Sequence, residues 1–366
     1  MLIQCDDKVY NPLVGGSYVF EKDIIDFLIN KFNKDEICIS IGAQPNSSPH
    51  FGTLIVFSTA FSLAKKIMNK YPNKKVSVLF EVVDTAPSET VCINNIKYQK
   101  SLKSTGVLDN YFKEYIEILD YLKKINSVDY YYRFQKDFNK QKYIYPIVKN
   151  IINKKDDLCK ILDPKYNKLR IRVACPICGL SDKNSILTKF ENDTIISFCP
   201  YHGEYKTNIK DNTDKLEYNT PLRNLVRAIA YGMFNDDVEQ KYQILRITGS
   251  DYAGFYQEEL LYRPCSIIDY PIYKLPSILY TPLVLDWSGA KLSKSLYVKE
   301  GAYSDLPPYL INYSFMKENF GIDGLNIINS ITDDWIDNPY KLFRNYSIYY
   351  FKKEFEEYEK RNLFKY

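Results

Sequence analysis

Residues 37–83 constrain the fold of this chain more than any other stretch. Ile37-Cys-Ile-Ser-Ile41 reads as a buried strand, residues 42–52 as a turn rich in Pro, Asn and Ser, residues 53–71 as a helix, and residues 76–83 as a second apolar strand. A β-α-β unit of this kind builds parallel sheets, and ligands of open α/β sheets bind beyond the carboxyl ends of the strands, where the Pro-Asn-Ser loop falls. Apolar residues at three- and four-residue intervals over 18–35 predict an amphipathic helix leading into the unit. The expected fold class is α/β with a Rossmann-type parallel sheet.

The rest of the chain divides around that core. Residues 1–100 are expected to form the first half of the sheet, 101–168 a charged helical insertion, and 169–212 a ribbon of short β-like runs. Residues 213–300 resume the α/β pattern and 301–366 form an aromatic-rich helical tail. A length of 366 residues allows two or three compact units. The net charge of +4, from 49 basic and 45 acidic residues, creates no whole-molecule field that demands nucleic acid, and no DNA partner is expected. The acidic N-terminus lacks a signal-peptide pattern, and no run of about 18 apolar residues occurs, so a cytoplasmic protein without a membrane partner is expected.

Cys175, Cys178, Cys199 and His202 form a C-x2-C-x20-C-x2-H pattern. Two tight knuckles at that spacing supply four ligands to a tetrahedral Zn2+, and a filled set of four points to a structural rather than a catalytic ion. The chain has two histidines, and the other, His50, lies in Pro49-His50-Phe51-Gly52-Thr53 at the end of the Pro-Asn-Ser loop. After the last apolar strand (SILYTPLVL) comes Lys291-Leu292-Ser293-Lys294-Ser295, and between the two lies Thr248-Gly249-Ser250-Asp251 at the end of another strand. Asp251 at a strand end is placed to accept from a ribose hydroxyl, with helix capping as the plainer alternative.

In order and position these elements resemble the class I aminoacyl-tRNA synthetases, with the HIGH motif at the first strand-to-helix turn and the KMSKS loop after the last strand. The resemblance implies ATP and Mg2+ as cofactors and formation of an aminoacyl-adenylate. It implies His50, Lys291 and Lys294 as catalytic residues, and Pro49, Gly52, Thr53, Gly249, Asp251 and Ser293 as nucleotide contacts. In-line attack of a carboxylate on the α-phosphate builds negative charge, which His50 and Lys294 suit as donors. Gly52 lets the nucleotide approach the positive end of the helix. Thr53 stands where the motif ends in His, which keeps a donor but removes an imidazole. The order of ribbon, Pro-containing helix start and Gly-x-Asp element over roughly residues 20–300 is similar to the class I type of lysyl-tRNA synthetase.

Two departures from that family bear on the substrate. Its Arg- and Asp-containing segment near the amino-acid pocket reads Glu217-Tyr218-Asn219-Thr220-Pro221 here, and its acidic stretch after the second strand reads Asp84 to Glu89. Asp84, Glu217 and Asn219 are the expected substrate contacts, with an amino acid other than lysine open. The residues after Ser295 are too few for the anticodon-binding domain of the lysine enzymes. A tRNA acceptor end, held in part by Lys165, Lys168, Arg170 and Arg172, is one expected partner. Transfer of the activated amino acid to another amine or carrier, and a non-catalytic binding role, are the alternatives.

Overall fold

The computed structural model describes residues 24–292 and 306–363. Its centre is a five-stranded sheet of β1 (Glu36–Ala43), β2 (Lys75–Val82), β3 (Tyr130–Phe134), β4 (Tyr242–Gly249) and β5 (Ile278–Thr281). The strands run parallel in the order β5-β4-β1-β2-β3. The order reverses between β1 and β4, and this leaves a crevice at their carboxyl ends. The expected fold class is what the structure shows.

Both faces of the sheet are covered, so β1 carries side chains suited to two interiors. Ile37, Ile39 and Ile41 point to one layer, with Phe57, Phe61 and Leu63 of α1 (Phe51–Lys70). That helix has the length and hydropathy of a membrane span, but most of it is buried here as the central core helix. Leu245 and Ile247 of β4 join the same layer, whereas Ile244 belongs to the opposite one with α3 (Thr220–Asp236). Asn219 caps α3 by accepting from the Leu222 N–H at 3.3 Å, and Pro221 occupies its first turn.

The stretch 101–168, expected to be a helical insertion, holds α2 (Leu108–Asn126) and then the edge strand β3. The strand escapes a hydrophobic pattern because Tyr131 and Tyr132 are exposed at the sheet edge. A hairpin of Pro87–Ile93 and Ile96–Ser101 also went unread; Asn94 and Asn95 turn it at positive φ, and it pairs with Ser181–Asp182 of the ribbon. Residues 306–363 hold the helices Tyr313–Phe320, Asp323–Asp337 and Ile348–Leu363 and a short strand, Tyr346–Ser347, and they pack into the central core. In α4 (Asp323–Asp337), Thr332 hydrogen-bonds Ser58 and Ser62 of α1 at 3.0 and 2.9 Å. Phe351 packs edge-on to Phe51 at 5.0 Å, and the buried Trp335 stacks on Tyr346 at 4.9 Å.

Because the tail and α1 share one interior, Trp335→Ala should destabilise the whole sheet layer by about 3–5 kcal/mol. Chemical denaturation followed by circular dichroism should show one transition shifted to lower denaturant. Early loss of a small helical fraction with the remainder unshifted would show that the tail folds separately.

Candidate functional site

A cavity of about 700 Å³ opens at the crevice between β1 and β4. His50, Gly52, Thr53, Gly249, Asp251 and Lys291 all line it, although they come from three distant segments. His50 directly precedes α1 in extended backbone (φ −73°, ψ 159°) and bridges to Asn312 of the tail. Around it the chain is fixed by Phe51 N–H donating to the Ile311 carbonyl at 3.0 Å and Tyr313 N–H donating to the Pro49 carbonyl at 2.8 Å. Pro49 is thereby spent on the tail and lies outside the cavity wall. The Phe51 and Thr53 amides have backbone acceptors, so a ligand at this terminus would meet the Gly52 N–H and the helix dipole rather than those two amides.

Gly52 has a reason beyond access for a ligand. A Cβ there would sit 3.1 Å from Cε1 and 3.2 Å from Nδ1 of His50, so glycine gives the imidazole room to fold over the first turn. Across the crevice a Cβ at Gly249 would meet Asp251 Oδ1 at 2.6 Å. The Asp251 carboxylate folds back over β4 and pairs with Lys291 Nζ at 2.5 Å. Lys291 arrives on a tight loop in which Asp286 accepts from Ser288 N–H at 2.9 Å and Ala290 N–H at 3.1 Å, closed by Leu292 N–H to the Val284 carbonyl at 2.8 Å. Asn345 of the tail braces this rim by accepting from Ser250 Oγ and from Leu283 N–H. The Asp251–Lys291 pair is partly exposed and so worth at most about 1 kcal/mol, which lets either partner be recruited by a ligand. Ser293 and Lys294 lie outside the described residues.

The sequence reading missed the side chains that give the cavity its charge. Arg223, Arg227 and Arg246 line it and are each less than a tenth exposed. Arg223 and Arg227 stand four apart on one face of α3, and Arg246 reaches from β4 to donate to Asn224 Oδ1 at 3.0 Å. Burial, followed by the neighbouring Arg227 charge, pushes Arg223 down to about 10, and the same two causes lower Arg246. The nearby Glu81 is already engaged by Arg133 and by Tyr231, whose hydroxyl donates to it at 2.6 Å. Burial alone would raise Glu81, but the guanidiniums of Arg133 and Arg227 hold it below the ordinary carboxylate range. Arginine inside the apolar runs PLRNLVRAIAY and QILRITG was the available signal.

The expected substrate contacts fall elsewhere. Lys103 Nζ is 3.5 Å from Oε1 of the fully buried Glu217, the Lys103 backbone N–H donates to the Asp84 carbonyl at 3.0 Å, and Asn219 is occupied as the cap of α3; none of the three expected contacts lines the cavity. Burial raises Asp84 against the pull of Lys103. The expected basic flank is also largely committed to the fold. Arg170 makes a two-pronged ion pair to Asp163 at 2.7 Å, and the buried Arg172 donates to the Lys183 carbonyl at 3.0 Å.

The four ribbon residues converge. Cys175, Cys178 and Cys199 Sγ and a His202 ring nitrogen lie within 4.8 Å of one another. His202 Nδ1 is 3.5 Å from Cys175 Sγ and 3.4 Å from Cys199 Sγ, and Cys178 and Cys199 sulfurs are 3.5 Å apart. Bonds of about 2.3 Å to sulfur and 2.0 Å to nitrogen in a tetrahedron need ligand separations of roughly 3.5–3.8 Å, so the set fits Zn2+ with little adjustment. Each knuckle is followed by a glycine at positive φ, Gly179 at 77° and Gly203 at 75°. Burial raises the Cys175 thiol, but the Cys178 and Ile177 N–H groups aimed at its sulfur bring it below its ordinary value, whereas burial pushes the neighbouring Cys199 thiol up to about 11. Purified protein should carry about one zinc per chain by elemental analysis, and Cys178→Ser should lose it and lower the melting temperature. Full stability of a zinc-free chain would show that the cluster folds without metal.

No family model and no curated protein matches the chain. Among solved structures it is similar to a glutamate-tRNA synthetase from Elizabethkingia anophelis, at 12% identity over 85% of this chain and 68% of that one, with a TM-score of 0.39. It is also similar to the Mycobacterium tuberculosis methionyl-tRNA synthetase bound by methionyl-adenylate, at 10% identity over 86% and 66%, with a TM-score of 0.40. For the Plasmodium falciparum arginyl-tRNA synthetase the identity is 11% over 84% and 53%, with a TM-score of 0.34. At that distance the likeness adds nothing to the strand order and cavity geometry, on which the assignment of the fold rests.

Proposed function

We propose that this protein activates an amino-acid-type carboxylate with ATP, as class I aminoacyl-tRNA synthetases do, and passes the acyl group to a tRNA 3′ end. The observation that carries this reading is the assembly of His50, Gly52 and Thr53 with Gly249, Asp251 and Lys291 around one cavity at the topological switch point. A carboxylate oxygen of the substrate attacks the α-phosphorus, a P–O bond is made there, and the bond to the bridging oxygen breaks as pyrophosphate leaves. Asp251 accepts from the ribose hydroxyls while Gly249 keeps the strand end open beneath it. His50 at the dipole of α1 and Lys291 donate to the phosphate oxygens as negative charge builds. Lys294 is assigned the same task through the motif it belongs to. The ribbon zinc stays structural.

The test is amino-acid-dependent exchange of pyrophosphate into ATP, with and without total tRNA. Lys291→Ala and Lys294→Ala should each reduce the rate by about 100-fold or more, the usual effect of removing one transition-state donor. Asp251→Asn should act chiefly by raising the KM for ATP. No exchange under any of these conditions, with every standard amino acid sampled, would remove adenylation from consideration and leave a binding role.

A further inference from the structure

Most of the cavity wall is explained by the nucleotide, but the arginines are not. Arg246 leaves β4 three residues, about 10 Å, before Gly249, on the face of the sheet opposite α1 and His50. Arg223 and Arg227 face it from α3. The space between is kept open by small residues of β1. Ser40 lies beside Arg246 in register, and a Cβ at Gly42 would come within 3.3 Å of Arg227 Nη1. The guanidiniums donate to neutral groups: Arg223 to Thr220, Arg227 to Gln135 and Arg246 to Asn224. No carboxylate among the described residues forms an ion pair with any of them, and the buried Arg227 Nε has no hydrogen-bond partner. The nearby Glu81 carboxylate is already bound by Arg133 and Tyr231, so three buried cations beside it cost several kcal/mol each unless a further anion joins them, and guanidinium forks match a carboxylate in shape as well as charge.

We infer that Arg223, Arg227 and Arg246 form a recognition site for a second carboxylate on the substrate. The activated molecule is then an acidic amino acid or a similar dicarboxylate, with one carboxyl group held by the arginines and the other directed to the nucleotide. Lysine, which the family resemblance implies, is excluded from this cavity by like charge. The inference rests on the adenylating reading for the fate of the second carboxyl group, though binding itself does not.

Calorimetric titration of the full chain, without ATP, with glutamate, aspartate, α-aminoadipate, glutamine and lysine tests it. A dicarboxylate should bind at least tenfold more tightly than glutamine, with lysine weakest. Arg227→Gln should weaken that ligand by roughly tenfold to a hundredfold, the worth of one charged hydrogen bond, and the loss should fall on the dicarboxylate rather than on ATP. Circular dichroism separates this from misfolding, and the wild-type panel decides the matter if the variant does not fold. Preference for lysine or a neutral amino acid, or no binding of any dicarboxylate, would overturn the inference. Dicarboxylate binding without pyrophosphate exchange would uphold it and count against adenylation; exchange driven by lysine would do the reverse.

Discussion

The parallel pairing of β1 with β4 is the constraint on which the remaining structure depends. Its register runs from Glu36 opposite Tyr242 to Ser40 opposite Arg246, joining segments some two hundred residues apart. From β1 the chain proceeds to one side of the sheet and from β4 to the other, so a crevice must open between their carboxyl ends. His50 and Asp251 face each other because of that register, not because of any local preference. The interior that holds the register is shared with the tail: Phe51 is clasped by Phe351, and α1 is pinned to α4 by Ser58, Ser62 and Thr332.

Electrostatics divide the crevice into two regions. At the rim, Asp251 and Lys291 are paired and partly solvated, so each can exchange partners at little cost. Deeper in, Arg223, Arg227 and Arg246 are buried near Glu81, a carboxylate already bound by Arg133 and Tyr231. A fold selected for stability alone would fill that space with apolar side chains. Local rules of this kind are broken mainly where a ligand repays the breach.

What could be read from the sequence depended on how far each feature was local. The β-α-β unit was legible because the alternation of Ile37, Ile39 and Ile41 and the period of α1 follow from their own neighbourhoods. The convergence of Cys175, Cys178, Cys199 and His202 was legible because knuckle spacing is a local signature. β3 was not legible, since Tyr131 and Tyr132 at a sheet edge carry no burial pattern, and the tail's place in the core is purely tertiary. Among the site residues, the motif positions that line the cavity were found, whereas the arginines of α3 and β4 were absorbed into apolar runs. Asp84 and Glu217 were read by position in a family pattern, but both are buried outside the cavity lining, with Glu217 paired to Lys103. Arg170 and Arg172 looked available for phosphate because the sequence does not show Asp163 or the Lys183 carbonyl beside them.

The central claim is that a nucleotide occupies the crevice between β1 and β4. A crystal structure with a non-hydrolysable ATP analogue and Mg2+ tests it most directly. The account predicts the ribose against Asp251 and Gly249, with the α-phosphate between His50 and Lys291. Density for the analogue anywhere else, or an empty crevice at saturating analogue, would contradict it.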